Sequence, residues 1–268
     1  MIYVPSRFQQ KINVEYPPNN KILFEEWVIS QAPFNTAREF LAINWTGYYV
    51  NNNYGNDREA MSALQVFLDD LPTDKKYWTV VQYDYSILNN VSHLDLLQFN
   101  MSKNIGVGMP LLCQPHPYQF PYEKKYEANF IGSKTHPIRN FAEELRKHSG
   151  YYISYDPHNI ETYCRILSES QFTLCFRGYG QNSFRIAEAM QYGSIPVYIS
   201  DTFVDCFDAN FEDYGVLIHE IDAHMIDDIL KAIPLYEVMM KQDRLREYYE
   251  KYYTYTGALT QILKRLAS

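Results

Sequence analysis

Two arginines and two glycines lie close together in the stretch CFRGYGQNSFRIAEAM, which begins at Cys175. Guanidinium groups, together with backbone N–H groups at a glycine turn, are typical donors to phosphate. The apolar run QFTLCF predicts a central strand that is buried on both faces and delivers Arg177 at its carboxyl end. Gly178 and Gly180 allow a tight turn and a close approach to a ligand. The junction therefore predicts a socket for a phosphate or a diphosphate.

The residues after this turn predict the start of a buried helix. Gln181, Asn182 and Ser183 supply candidate capping groups, and the helix N-terminus offers free N–H donors and a positive dipole end. Arg185 adds a second cation in the first turn. Glu188 lies three residues further along the same face, where a carboxylate can accept hydrogen bonds from two ribose hydroxyls.

Each of these features also has a simpler interpretation. A single Gly-x-Gly is common, Arg177 can have a structural role, and Arg185 with Glu188 can form an ordinary helix ion pair. Their occurrence together in one strand–turn–helix junction favours anion binding over these separate explanations.

The rest of the chain predicts the elements that position this junction. Before a proline-rich connector at residues 113–130, the sequence predicts a helix over DREAMSALQVFLDDLP with Asp57 as its N-cap. It then predicts a strand over YWTVVQYD, a short helix or turn over HLDLLQF, and a strand over NIGVGMPLL. After the connector, strands over ANFIGS, YYISYD, QFTLCF and SIPVYIS alternate with helices. This alternation predicts parallel sheets, whose ligands bind beyond the carboxyl ends of the strands.

Other candidates follow from those strand ends. Gly132, Ser133 and Arg139 lie in the first strand-to-helix turn after the connector, and are candidates to bind the phosphate or the sugar. A plain helix-capping turn is the competing interpretation. Tyr155 ends the next strand and is a candidate to contact a nucleotide base.

Composition excludes several classes. The formal net charge of -8 argues against a broad nucleic-acid surface, which needs a basic face. No window holds roughly 18 uninterrupted apolar residues, so no membrane span is predicted. The start MIYVPSRFQQK lacks the apolar core of a signal peptide, and we expect a cytoplasmic protein. The four widely spaced cysteines predict free thiols.

Aromatic residues are unusually abundant, at 25 Tyr, 15 Phe and 3 Trp. Tyrosine suits a carbohydrate-facing cleft, because its ring stacks on sugar C–H faces while its hydroxyl forms hydrogen bonds. Trp45, Tyr48 and Tyr49 are candidates to stack on a sugar, and core packing is the competing explanation for each.

Residues 172–201, FTLCFRGYGQNSFRIAEAMQYGSIPVYISD, resemble the exostosin-type glycosyltransferases (glycosyltransferase family 47). The family motif reads approximately F-C-L-x-P-R-G, then S-x-R-x-x-E-A-[LM]-x-x-G-x-[IV]-P-V-x-[IL]-S-D. Phe176 replaces the usual proline and Tyr192 a small residue, and neither change removes a polar contact. The resemblance extends over about residues 128–233. The chain looks most like the compact versions found in microbes or large viruses.

The resemblance implies a GT-B architecture, an α/β fold of two Rossmann-like domains facing each other across a cleft. We expect an acceptor-binding domain at residues 1–120 and a nucleotide-sugar domain at 121–268, with the C-terminal helix packing back on the first. The implied reaction is inverting transfer from a UDP-sugar, of a pentose such as xylose or of a hexose, to a hydroxyl of an oligosaccharide or glycoprotein glycan. Arg177 and Arg185 would neutralise the diphosphate, so neither a metal nor another cofactor is expected.

Inversion in one step requires a base that accepts the proton of the acceptor hydroxyl. Asp84, at the carboxyl end of the predicted strand YWTVVQYD, is our candidate. Asp57 and Glu59 are rivals, although helix capping explains Asp57. Two alternative functions stay open: a GDP-sugar enzyme similar to fucosyltransferases, and a non-catalytic protein that binds nucleotide sugars.

Overall fold

The computed structural model describes residues 3–13, 20–102, 105–121, 123–207 and 209–267. Within these ranges the helices are α1 (Phe24–Ser30), α2 (Trp45–Asn51), α3 (Arg58–Asp69), α4 (Phe141–Leu145), α5 (Ile160–Ser168), α6 (Phe184–Gln191), α7 (Ile226–Ala232), α8 (Leu235–Tyr248) and α9 (Tyr255–Ala267). The strands are β1 (Glu39–Phe40), β2 (Lys76–Val81), β3 (Asp95–Asn100), β4 (Val107–Gly108), β5 (Tyr126–Ile131), β6 (Tyr151–Ser154), β7 (Ser170–Phe176), β8 (Ile195–Ile199) and β9 (Val216–Ile218).

The first sheet has the strand order β1-β2-β3-β4, and every neighbouring pair is parallel. The prediction of a helix or turn over HLDLLQF is wrong, because residues 95–100 pair along their whole length with β2. A short apolar run fits either a strand or a helix, and here pairing with a distant strand decides. The strand predicted over NIGVGMPLL is short, since only Val107 and Gly108 pair with β3.

The helix predicted before this sheet is confirmed as α3. The Asp57 carboxylate caps it by accepting hydrogen bonds from the N–H groups of Glu59 and Ala60 at 3.0 and 3.1 Å. Leu64 and Leu68 are buried on its inner face, as its apolar spacing predicts.

The second sheet has the order β6-β5-β7-β8-β9 and is also parallel throughout. β7 lies at its centre, where Phe172 to Phe176 are all buried, so the predicted central strand is confirmed. The loops that follow β5, β6 and β7 leave the same edge of the sheet, because parallel strands end together. This edge carries the phosphate-binding candidates.

The two sheets are joined by one hydrophobic cluster. It includes Trp78 and Phe99 from the first sheet and Phe130 and Phe176 from the second. Helix α9 packs against α1, and the Tyr255 hydroxyl donates a hydrogen bond to a main-chain carbonyl that precedes α1. The predicted fold class, two parallel α/β units in a GT-B arrangement, is confirmed. The proposed boundary between residues 120 and 121 stays a prediction.

Two expectations from composition can be compared with this fold. All four cysteines are buried and free, as predicted. In the described part of the chain, every helix is too short or too polar to cross a lipid bilayer.

Candidate active site

A cavity of about 510 Å³ lies where the two halves of the molecule meet. The second half supplies most of its wall, from the loops after β5, β6 and β7 and the first two turns of α6, while Asp84 and Leu111 come from the first half. The wall includes the proposed base and the candidates for binding the nucleotide sugar, with the exception of Arg177: Asp84, Gly132, Ser133, Arg139, Tyr155, Gly178, Gly180, Ser183, Arg185 and Glu188.

Arg185 is held in this wall by backbone of β5. Its Nε and Nη2 donate hydrogen bonds to the Ile131 carbonyl at 2.9 and 2.6 Å, and its guanidinium lies 5.0 Å from the centre of the Phe130 ring. Gly132 makes room for it, because a Cβ at that position would overlap Nη2. Within the described ranges no carboxylate lies within ion-pair distance of Arg185, and its charge faces the cavity together with the more distant Glu188 carboxylate.

The N-terminus of α6 opens into the same space. Ser183 occupies the N-cap position, but its side chain does not cap the helix. Capping by Ser183 was expected; instead, the Asn182 side-chain oxygen accepts a hydrogen bond from the Ser183 N–H at 2.8 Å. The Ile186 N–H donates to the Ser183 carbonyl at 3.2 Å, and the positive end of the helix dipole faces the cavity beside Arg185.

Arg139 is buried and ties the strand ends together. Its guanidinium donates to the carbonyls of Arg177, Ser133 and Phe176 at 3.0, 2.9 and 3.4 Å. These carbonyls follow or end β5 and β7, so Arg139 compensates partial negative charge where an anion would otherwise be repelled. It therefore shapes the cavity wall in addition to lining it.

Arg177 does not line the cavity. Its Nη1 lies 3.5 Å from Glu220 Oε1, beyond β9, and its buried Nε has no hydrogen-bond partner in the described part of the chain. Sequence placed Arg177 at the correct strand end but could not give the direction of its side chain. Its role in phosphate binding stays a prediction.

Glu188 is buried and lies in a network of side-chain donors. His116 Nε2 donates to one carboxylate oxygen at 3.0 Å, and the Tyr163 hydroxyl donates to the other at 2.7 Å. Burial alone would raise the pKa of Glu188, but these hydrogen bonds and the charges of His116 and Arg185 hold it below the usual value. The carboxylate is thus kept charged, and each oxygen keeps a second lone pair for a ligand.

His116 was not found from the sequence. It lies in the proline-rich connector and is fixed by Gln191, which bonds both its main-chain N–H and its carbonyl, at 3.0 and 2.8 Å. A single histidine between two prolines carries no spacing signal, so only the fold identifies it.

Two further side chains complete the wall on the second half. The Tyr155 hydroxyl donates to the Arg139 carbonyl at 2.5 Å, and the charged groups of Lys134 and Arg146 lie 4.7 and 5.4 Å from the centre of its ring. Thr135, which the sequence did not suggest, has a buried hydroxyl with no hydrogen-bond partner in the described ranges. That hydroxyl is free to bond a ligand.

Asp84 reaches the cavity from the first half. It follows β2 by three residues, whereas the sequence predicted that the strand continues to it. Its carboxylate lies against Gly180, and a Cβ on that glycine would overlap it. No described residue donates a hydrogen bond to the carboxylate, and burial raises its pKa above the ordinary value for aspartate.

The rival acids and aromatic candidates lie elsewhere. Asp57 and Glu59 are absent from the cavity wall. Trp45, Tyr48 and Tyr49 are buried in the core of the first half and cannot stack on a ligand. Core packing, the competing explanation, therefore accounts for all three. Over the described residues no group of three or more His, Cys, Asp or Glu side chains is arranged to hold a metal ion. Whether the reaction needs a metal stays a prediction.

Comparison with known proteins identifies the family. The family model for the Exostosin GT47 domain matches residues 90–233, just over half of the chain. The chain therefore belongs to the exostosin glycosyltransferase family 47, and the resemblance carried by residues 172–201 is confirmed.

Individual relatives agree with this assignment. A probable glucuronosyltransferase from Oryza sativa subsp. japonica is 39% identical over 83 residues, which cover 30% of this chain and 19% of that protein. A probable beta-1,4-xylosyltransferase from Arabidopsis thaliana is 41% identical over 86 residues, covering 31% and 20%. An exostosin-1 homolog from Caenorhabditis elegans is 26% identical over 195 residues, covering 57% and 50%. The match thus spans about a fifth of the plant relatives and half of the nematode one.

Among solved structures, that of TarM is similar with a TM-score of 0.46 and 10% identity, covering 78% of this chain and 53% of that one.

Proposed function

We propose that this chain is an inverting glycosyltransferase that moves a sugar from a UDP-sugar to a hydroxyl of a glycan acceptor, without a metal ion. One observation carries the proposal. The unpaired carboxylate of Asp84, from the first half, lies against Gly180 in the same cavity as Arg185, the N-terminus of α6 and the charged Glu188. A base and an anion socket therefore meet in one space.

The donor has natural partners in the second half. The diphosphate binds at the N-terminus of α6 beside Arg185, and the Thr135 hydroxyl is within the same wall. Glu188 accepts hydrogen bonds from the ribose hydroxyls, and the ring of Tyr155 packs on the nucleotide base. Charge develops on the departing diphosphate as the sugar–phosphate bond breaks, and fixed donors at that end stabilise the transition state most.

Asp84 acts as the base. Its pKa, raised by burial, makes the carboxylate a stronger proton acceptor than an exposed aspartate. It removes the proton of the acceptor hydroxyl while that oxygen bonds to the anomeric carbon and UDP leaves from the opposite face. The configuration at that carbon is inverted, and the proton stays on Asp84 until solvent accepts it.

Xylose and glucuronic acid are the first donor sugars to test, because plant relatives are named as probable xylosyl- and glucuronosyltransferases. A GDP-sugar donor and a non-catalytic binding role are the alternatives. Neither has a specific observation in its favour, and the unpaired Asp84 supports catalysis over binding alone.

Calorimetric titration tests the donor site with UDP, GDP, UDP-xylose, UDP-glucuronic acid, UDP-galactose and UDP-N-acetylglucosamine, with and without EDTA. We expect UDP species to bind in EDTA. Arg185→Ala should weaken this binding by at least about tenfold, because the variant loses a charge-assisted contact to phosphate. Arg165→Ala, an exposed change on the neighbouring helix α5, is the matched control and should bind like the unmodified protein.

The outcomes separate the alternatives. Tighter binding of GDP than of UDP would favour the fucosyltransferase-like reading, and loss of UDP binding in EDTA would show a metal requirement. Binding of no nucleotide, or equal binding by the Arg185→Ala variant, would contradict the proposed donor site.

A further inference from the structure

Three exposed tyrosines lie on or near the segments that bring Asp84 and Gly180 together. Tyr179, Tyr85 and Tyr54 expose 70%, 67% and 64% of their surface, although the chain buries most of its other large rings. Tyr179 lies between Gly178 and Gly180 and lines the cavity, whereas Tyr85 directly follows Asp84. Asp84, from the first half, contacts Gly180, from the second. Tyr85 is the chain neighbour of Asp84 and Tyr179 is the chain neighbour of Gly180, so both tyrosines lie beside this contact.

Tyr85 and Tyr54 are both linked to the buried Tyr83. Tyr85 packs edge-on against the buried Tyr83, with ring centroids 5.9 Å apart. Tyr83 in turn donates a hydrogen bond from its hydroxyl to the Tyr54 carbonyl at 3.2 Å, and its ring packs on Tyr49 at 5.0 Å. The Tyr85 ring and the Tyr54 backbone are thus anchored to the buried aromatic core.

The backbone that presents Tyr85 is fixed in an unusual conformation. Ser86 has a φ of 64°, in the left-handed region that non-glycine residues rarely adopt. Asn100 Nδ2 donates to the Ser86 hydroxyl at 2.6 Å, and the Ser86 N–H donates to the Tyr83 carbonyl at 2.9 Å. These bonds close a turn that buries Tyr83 and directs the chain through Asp84 and Tyr85 to the surface. Tyr54 also has a positive φ, of 55°. Strain of this kind persists where surrounding structure enforces it, and is frequent at ligand sites.

We propose that Tyr179 and Tyr85 form the binding platform for the terminal sugar ring of the acceptor. This inference rests on the proposed function, because it places the acceptor hydroxyl next to Asp84. A ring of tyrosine offers a flat apolar face to sugar C–H groups and a hydroxyl to their oxygens. Continuity with the cavity identifies the occupant as the acceptor glycan, since a sugar stacked here presents its hydroxyl to the base.

Binding of sugars in the absence of nucleotide tests the platform separately from the donor site. The full chain is applied to an array of β-linked tetrasaccharides of xylose, glucose, galactose and N-acetylglucosamine. We expect retention on at least one of them, with affinity about tenfold weaker in Tyr85→Ala and in Tyr179→Ala. Tyr85→Trp and Tyr179→Trp keep a stacking face and should retain affinity within about threefold.

Tyr236→Ala is the matched control. Tyr236 exposes 67% of its surface, as Tyr85 does, but lies on α8 and outside the cavity wall. It should bind the tetrasaccharides like the unmodified chain. Calorimetry with UDP on every variant shows whether the donor site is intact, and in transfer assays the KM for the acceptor should rise while the KM for the donor does not change.

The proposed platform is contradicted if both alanine variants bind a retained tetrasaccharide as tightly as the unmodified chain does. It is equally contradicted if a chain that binds UDP retains none of the four sugars. If UDP does not bind but sugar retention depends on Tyr85 and Tyr179, the proposed transfer from UDP-sugars fails while the carbohydrate platform stands.

Discussion

Asp84 and Glu188 line one cavity from different halves of the molecule, and their pKa values move in opposite directions. Burial opposes the charged form of both carboxyl groups. Glu188 receives hydrogen bonds from His116 and Tyr163, and the charges of His116 and Arg185 complete the compensation, so its pKa is lowered. Asp84 has no such donors among the described residues, and its pKa is raised by burial alone.

Glu25, a third buried carboxyl group, shows whether hydrogen bonds from neutral groups are enough to lower the pKa of a buried carboxyl group. It accepts hydrogen bonds from the N–H and hydroxyl of Thr46, both at 2.8 Å, and from the Gln82 N–H. Burial nevertheless raises its pKa to about 7, and these hydrogen bonds offset only part of the effect. Neutral donors therefore do not compensate for burial here, whereas a network that includes positive charge does.

The two halves thus prepare carboxyl groups for different tasks. The first half holds groups that accept a proton readily, which suits the base of the proposed reaction. The second half holds a carboxylate whose pKa is lowered, beside Arg185, which suits the binding of a nucleotide and its ribose.

The largest expected effect comes from Asp84→Asn, which removes the proposed base and leaves the second half untouched. We expect kcat for transfer to fall by about 10²–10⁴-fold, the usual contribution of a general base, with UDP binding unchanged. Steady-state kinetics and calorimetry measure the two quantities. Asp57→Asn, which keeps a good helix cap, should keep the rate within about twofold. A normal rate in Asp84→Asn would end the assignment.

The pH dependence of transfer tests whether the pKa of Asp84 is raised. Asp84 acts only when deprotonated, so kcat/KM should fall as pH is lowered through its pKa. Because burial raises that pKa, the fall should begin at a higher pH than the ordinary aspartate value of about 3.9 would give. Any residual activity of Asp84→Asn should lack this acidic limb, and an identical limb in the variant would assign it to another group.

His116→Ala would remove the donor that keeps Glu188 charged. We expect the free energy of unfolding to fall by about 3 kcal/mol, since a buried carboxylate loses its partner, and UDP binding to weaken. The lowered pKa of Glu188 contributes stability that is present above the usual glutamate pKa and is lost as pH falls through the folded value. Urea denaturation at several pH values should show that contribution reduced in the variant. His116→Gln retains an N–H donor and should recover part of the loss.

Glu25 contributes a pH dependence of stability opposite to that of Glu188, and Glu25→Gln should remove it. With a folded pKa of about 7 against 4.5, the folded state holds a proton that the unfolded state releases, so stability should fall as pH rises between these values. The fall should be on the order of 3 kcal/mol, and the variant should show a flatter profile in urea denaturation at pH 5 and 8. Glu59→Gln, an exposed change, should keep the original slope. Equal slopes in both variants would contradict the raised pKa.

Much of the second half was predictable from sequence. The run QFTLCF, the two glycines and the helix that carries Arg185 and Glu188 lie within about one strand and one helix of each other, so local periodicity fixes their order. The first half was harder. The sequence predicted a helix or turn at β3, because a short apolar run is compatible with either a helix or a strand. Pairing with β2 is what makes it a strand.

The sequence alone predicted a phosphate socket, and it determined the alternation of strands and helices and a negatively charged chain rich in tyrosine, because these depend on spacing and composition. Only the tertiary structure decided that Arg177 turns toward Glu220, that His116 bonds Glu188 across 72 residues, and that Asp84 meets Gly180. It also buried Trp45, Tyr48 and Tyr49 while leaving Tyr85 and Tyr179 exposed. Each of these outcomes depends on which distant segments pack together, and that is set by burial of the shared core rather than by any local pattern of residues.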